Sequence, residues 1–358
     1  MKLRMNPALF LALGALLVAG CSKQGPDVVD PNAVQRRQTA LFAINAGTDG
    51  ELARYSEEGG LVSAADYADN NGGERSAPID AIYEHGDSLY LHHRSTGEIS
   101  LLNLRTRKKM ASIAGFPTGP GIGLSGMAFS NQSQAWVICQ GVPTLYLVDA
   151  FFHTIAGTIT LPGNPTSVAT DSNLIFVGTQ MADGSGQVGL LRSNPAGPYA
   201  IEKTYTFPTP VVYMTRGRDG LTMYLLTAGS ASVKPALYAI DITSLNVSGN
   251  IDIDAPPLAQ YIGMQPTFAA ISRNDFIYVG FPSAVLQIDG PRLTVAEWLP
   301  GNYPILDIDP GTDLLYAAAQ GSTTVKRLTY DGLQLDDLSI PSTINAIKFV
   351  SSTTLSTP

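Results

Sequence analysis

The sequence predicts an all-β protein, a seven-bladed β-propeller of four-stranded antiparallel blades closed by pairing the N- and C-terminal strands. Three observations predict it. Charged residues make up only 15% of the 358 positions, while 35 glycines and 24 prolines interrupt the chain too often for long helices. A short apolar run with a central aromatic recurs at Phe42, Tyr90, Trp136, Phe176, Tyr224, Tyr278 and Tyr316, with a mean spacing of about 45 residues, in or close to the range of propeller blades. The turn Leu-Pro-Gly-Asn occurs at Leu161–Asn164 and again at Leu299–Asn302, three such units later. Two stacked β-sandwiches are the competing architecture, but a sandwich does not require a constant period.

The elements follow in order. Lys2 and Arg4 precede an apolar stretch, Pro7–Gly20, that is too short to span a bilayer comfortably and is followed at once by Cys21. The segment "LVAGC" at Leu17–Cys21 resembles the lipobox of bacterial lipoproteins. That resemblance implies cleavage before Cys21, acylation of its thiol and new amino terminus, and a stable tether, since two acyl chains already suffice for one. Ser22, where an inner-membrane retention signal would carry Asp, implies the outer membrane of a bacterial cell envelope. Residues 22 to about 40 are polar, contain Pro26 and Pro31 and show no period, so 21–40 reads as acylated cysteine and flexible tether, with a coil reach on the order of 25 Å. Residues 41–358 are left for the propeller.

Within each unit a short strand leads through a polar turn into the aromatic strand. A third alternating strand follows ("TLYLVDA", "ALYAIDI", "AVLQIDG"), and a fourth ends near proline ("GTITLPGNP", "DLSIP"). The glycine of the Leu-Pro-Gly-Asn turn is assigned a backbone conformation other residues avoid. Ser342–Val350 reads as an inner strand with no aromatic strand after it, and Leu41–Gly47 as an aromatic strand with no inner strand before it. Pairing the two closes the ring and removes the exposed edges. The unit as a whole resembles the YVTN family of β-propellers, most closely at "PGNPTSVATDSNLIFVG", Pro162–Gly178, where Phe176–Val177 stands for Tyr-Val. Blade five departs through the insert Asp252–Pro266, and blade two is read as entered through "FPTGPGIG", Phe116–Gly123, in place of Gly-Asn-Pro.

The sequence is poor in catalytic signatures. Its net charge of −8 with scattered Lys and Arg argues against nucleic acid. Gly121-x-Gly123-x-x-Gly126 lacks the helix a dinucleotide fingerprint needs. Asp307, Asp309 and Asp313 suggest a cation loop, but Pro310-Gly311 breaks the spacing and a turn is the simpler reading. The four histidines, His85, His92, His93 and His153, form no zinc-ligand pattern, and no cofactor is expected. Cys139 has no disulfide partner if Cys21 is acylated and reads as a small buried hydrophobe.

One pattern points to a site. Four residues beyond the blade aromatics lie Arg94, Gln140, Gln180 and Gln320, in the loop between second and third strands on the face that carries the Gly-Asn-Pro turns. With His92, His93, Gln265, Phe281 and Tyr303 they are predicted to line the mouth of the central channel. The reading that follows is an envelope-anchored lipoprotein whose propeller is a binding or scaffolding platform for a protein, peptide or carbohydrate, with the membrane as partner through its lipid anchor. The alternative is a periplasmic enzyme at the central channel, a lactonase-like hydrolase or a cofactor-dependent oxidoreductase, and for it Asp80, Asp307 and Asp309 are the acids read as facing the axis.

Overall fold

The computed structural model describes residues 36–353 apart from 47, 57–58, 194–198, 254–265, 267, 273–274, 282–283, 301–302, 310–311, 320 and 330–331. Cys21, Gln265 and Gln320 therefore lie outside the described residues. The propeller unit runs from Arg37 to Ser352. Among the described residues, 28 strands form seven separate four-stranded antiparallel sheets. Blade three is representative: β8 (Gly123–Asn131) is innermost, followed outward by β9 (Gln134–Gln140), β10 (Thr144–Asp149) and β11 (Thr154–Thr160). Closure is as expected. The last strand, β28 (Thr343–Thr353), is the inner strand of blade one beside β1 (Arg36–Ala46), β2 (Asp49–Tyr55) and β3 (Leu61–Ser63). Strand β1 starts a few residues inside the stretch read as tether.

Each repeated aromatic stands on the second strand of its blade and is at most 3% exposed. The reason lies in how blades stack. A second strand is flanked by its own sheet on two sides and by neighbouring blades on both faces, so its residues are buried in an unbroken run, as in β9 and β13 (Leu174–Gln180). The outer strand β11 instead alternates between half-buried and exposed positions, because only one of its faces meets a neighbour. Trp136 shows how these sites are satisfied: its Nε1 donates to Ser130 Oγ at 3.1 Å and its ring meets Tyr199 edge-on at 5.0 Å. Cys139 is fully buried in the same sheet, and burial pushes its thiol up to about 12.

The ring has two ends. At the upper end lie the connections between second and third strands and those from one blade to the next; at the lower end lie the first-to-second and third-to-fourth connections. The Leu-Pro-Gly-Asn turn at Leu161–Asn164 is at the upper end, and its glycine is required for a reason other than the one read from sequence. Gly163 does not have a left-handed φ; a Cβ there would lie 2.3 Å from the Gln180 carbonyl oxygen. Gly97 and Gly186 are crowded in the same way, with Cβ positions 2.2 Å from the carbonyl oxygens of Phe116 and Thr209. Close backbone approach between an inter-blade connection and a second-to-third loop, of the following blade at Gly163 and of the same blade at Gly97 and Gly186, is thus what these glycines supply.

A short helix, α1 (Asp66–Asn70), interrupts the connection from blade one to blade two. Local sequence does not cap it. Glu51 from β2 does, with Oε1 accepting the N–H groups of Tyr67 at 2.7 Å and Ala68 at 3.2 Å. Its first residue, Asp66, is 1% exposed and sits between Arg54 at 2.8 Å and Arg107 at 3.4 Å. Among the described residues no helix is long and apolar enough to cross a membrane.

Candidate functional site

The upper end brings two of the predicted residues together. Arg94 follows β5 (Ser88–His93), its backbone N–H donating to Asp80 Oδ2 at 2.8 Å. Its Nη2 reaches the next blade and donates to Gln140 Oε1 at 2.7 Å. Gly123, the first residue of β8, leaves room for this, because a Cβ there would lie 2.5 Å from Arg94 Cγ. Beside the pair opens a cleft of about 460 Å³ lined by Asp80, Arg94, Ser95, Thr118, Gly119 and Ile122. A guanidinium with N–H groups to spare, a carboxylate and two hydroxyls suit a polar ligand bearing both donors and acceptors.

The other predicted residues do not join it. Gln180 is exposed, one blade further on, and its side chain makes no hydrogen bond among the described residues. Tyr303 is half-buried against the cluster of Tyr278, Val285 and Ile308 between blades six and seven. His92, His93 and Phe281 are corrections to the sequence reading: they are 1%, 1% and 0% exposed and lie within the blade packing rather than at the channel mouth. They are the last two residues of the second strand β5 and the last of the second strand β21 (Phe276–Phe281), and the neighbouring blade covers each strand to its last residue. His93 bonds Pro78 O through Nδ1 at 3.0 Å and Ser100 Oγ through Nε2 at 2.9 Å. The His92 ring stacks at a tilt 4.6 Å from Tyr83, and burial, followed by the charge of His93, holds its imidazole down at about 3.

A second polar cluster occupies the lower part of the central channel, in a cavity of about 320 Å³. Asp307, on the inner strand β24 (Ile305–Ile308), faces Tyr213 and Thr215 of β16 (Val211–Arg216), Arg218 beyond it, and Lys348 of β28. Burial pushes the Asp307 carboxyl above the usual range, opposed by Lys348 and by the N–H groups of Ile308, at 2.9 Å, and Phe349. Tyr213 is driven up to about 12 by burial and then by Asp307, while Thr215 bonds its hydroxyl. Arg216 is tied to Asp171 at 2.8 Å and to Gly220 O at 3.0 Å, and Arg218 Nε reaches Ser272 O at 3.4 Å. Asp307 was legible as an inner-strand acid. Tyr213, Thr215, Arg218 and Lys348 were not singled out, although Tyr213-x-Thr215 carries the alternation that aims two side chains at the axis.

The acidic turn does not gather its carboxylates. Asp309 is buried in the turn, where Oδ2 accepts from Thr312 Oγ1 at 2.6 Å, whereas Asp307 faces the channel. Among the described residues no group of three His, Cys, Asp or Glu is placed to hold a metal ion.

Neither a family profile nor a curated protein matches the chain. Solved structures do. A candidate 6-phosphogluconolactonase from Bacteroides fragilis superposes with a TM-score of 0.67 at 13% identity, covering 90% of this chain and 100% of that one. A second candidate 6-phosphogluconolactonase, from Bacteroides uniformis, gives 0.62 at 14% identity over 88% and 100%. Hydrazine synthase from Kuenenia stuttgartiensis gives 0.58 at 13% identity over 83% and 96%. At these identities the likeness establishes the propeller fold and leaves function to the site.

Proposed function

We propose that this chain is a lipid-anchored envelope protein built of YVTN-type repeats, whose propeller captures a polar partner, an envelope protein segment or glycan, at its upper end around Arg94 and Gln140. The observation that carries the reading is the hydrogen bond between Arg94 and Gln140, which links two blades beside a cleft of about 460 Å³. Supporting it are the Leu17–Cys21 segment, the polar stretch that follows, and a rigid ring whose loops can vary without cost to the core. The test is cross-linking and recovery from intact envelopes, comparing wild type with Arg94→Ala, Gln140→Ala. One stoichiometric partner retained by the wild type and lost by the double variant supports the reading; equal recovery removes the upper cleft from it.

A second reading has its own observation. Asp307, with its carboxyl pushed up, lies by Tyr213, Thr215 and Lys348 in a cavity of the channel, and two structural neighbours are candidate lactonases. A hydrolase acting on a small hydroxylated ester or lactone would use Asp307 for proton transfer and the cations for the acyl oxygen. Screening sugar lactones with wild type and Asp307→Asn tests it. Absence of any turnover abolished by Asp307→Asn eliminates it.

A further inference from the structure

The exposed apolar side chains are not spread evenly over the propeller. Among the described residues nine large hydrophobic side chains are exposed, and all nine lie at the lower end. Phe151, Phe152, Leu221 and Leu333 stand in its turns, at 73%, 70%, 57% and 65% exposure. The other five, Leu61, Val62, Met110, Val247 and Leu335, occupy the first or second position of a fourth strand, immediately after a third-to-fourth connection at that end. Scattered apolar residues are ordinary on a protein surface, but confinement to one end is not.

The turns that carry these side chains are also held in place. Asp149 Oδ1 accepts the N–H groups of Phe151 at 2.9 Å and Phe152 at 2.8 Å, and the two rings meet edge-on at 5.1 Å. Asp219 Oδ1 accepts the Leu221 N–H at 2.9 Å, and Thr329 Oγ1 that of Leu333 at 3.0 Å. Little ordering would remain to oppose their insertion into another phase. The chain reaches the propeller at the same end. Strand β1 runs from lower to upper, since its hairpin with β2 closes at Ala46 and Asp49. Arg37 is 16 residues from Cys21 along the sequence, about 50 Å when fully extended and roughly 20–25 Å as a coil.

We propose that the lower end is seated on the lipid bilayer, with Phe151, Phe152, Leu221 and Leu333 inserted at headgroup depth and the upper cleft turned away from the membrane. The proposal rests on the lipid-anchor reading for its tether. Aromatic and aliphatic side chains on a polar body are what an interface binds, and each buried apolar surface adds to a tether that already confines the protein. Aspartates share these turns, so apolar burial rather than charge drives the contact, and zwitterionic lipid suffices.

The experiment supplies the tether chemically. The chain from Cys21 is coupled through that thiol to a maleimide-headgroup lipid in zwitterionic vesicles carrying brominated acyl chains, which quench only nearby tryptophan; Cys139, being buried, stays unreacted. Against the wild-type background of Trp136 and Trp298, Phe152→Trp and Leu221→Trp are expected to be quenched at least twofold more than Gln180→Trp at the upper end. Equal quenching at the two ends, or none at the lower end, overturns the proposal. Palmitate labelling of wild type and Cys21→Ser in cells tests the anchor separately, and its failure leaves the quenching result standing.

Discussion

Acidification should cost this protein stability through one side chain in particular. His92 is 1% exposed, its Nε2 has no hydrogen-bond partner, and burial keeps its imidazole neutral down to about 3. In the unfolded chain it takes up a proton near 6.5, so between 6.5 and about 3 the unfolded state binds more protons and stability falls as pH falls. Lowering pH from 7 to 4.5 crosses two units of that window, a loss of about 3 kcal/mol from His92 alone. His85 and His93, both held down first by burial, act in the same direction. Glu51 and Asp307, held up by burial, act in the opposite one as they titrate. The perturbation that isolates His92 is His92→Phe, which keeps a ring against Tyr83 and removes the titration. Urea denaturation at pH 7 and 4.5 is expected to show a smaller acid loss in the variant, by about 3 kcal/mol. An identical loss in both proteins, or an NMR titration of the His92 ring with a midpoint near 6.5, refutes the reasoning.

Other outcomes follow from packing. Asp66→Ala should cost about 3–5 kcal/mol in urea denaturation, because it leaves the buried Arg107 guanidinium unpaired, and Asp66→Asn should recover only part of it. Gly97→Ala combines a φ of +63 with a Cβ 2.2 Å from the Phe116 carbonyl oxygen and should cost more than the ~1–2 kcal/mol of backbone strain alone. Gly72→Ala, with a φ of +70 and open space around it, should cost only the strain, and equal losses at the two sites would contradict the close-approach argument. A thiol reagent should leave Cys139 unmodified in the native protein and react with it only after denaturation, since burial both covers the sulfur and pushes its thiol up to about 12.

Much of the architecture was legible because a propeller writes its geometry as a period. Trp136 and Phe176 sit at equivalent places in equivalent blades, so their spacing alone located the second strands. The unmatched inner strand at Ser342–Val350 gave the closure. The site was less legible. Arg94 and Gln140 share a loop position in successive blades, so counting from the aromatics found both, yet the same counting placed no weight on Gly123, whose missing side chain lets them meet.

What the chain by itself determined is therefore everything that depends on local order: strand and turn alternation, the seven units, the partners of each strand within a blade. Tertiary structure decided what depends on which blade lies next. His92, His93 and Phe281 carry polar or aromatic groups at strand ends that read as open, and the adjacent blade buries them. Helix α1 forms because Glu51, on another element, accepts its first N–H groups. Asp307 and Lys348 share a cavity because the C-terminal strand closes the ring beside blade seven. Contacts of this kind are set by the radius and twist of the closed ring, quantities to which every blade contributes and which no single segment encodes.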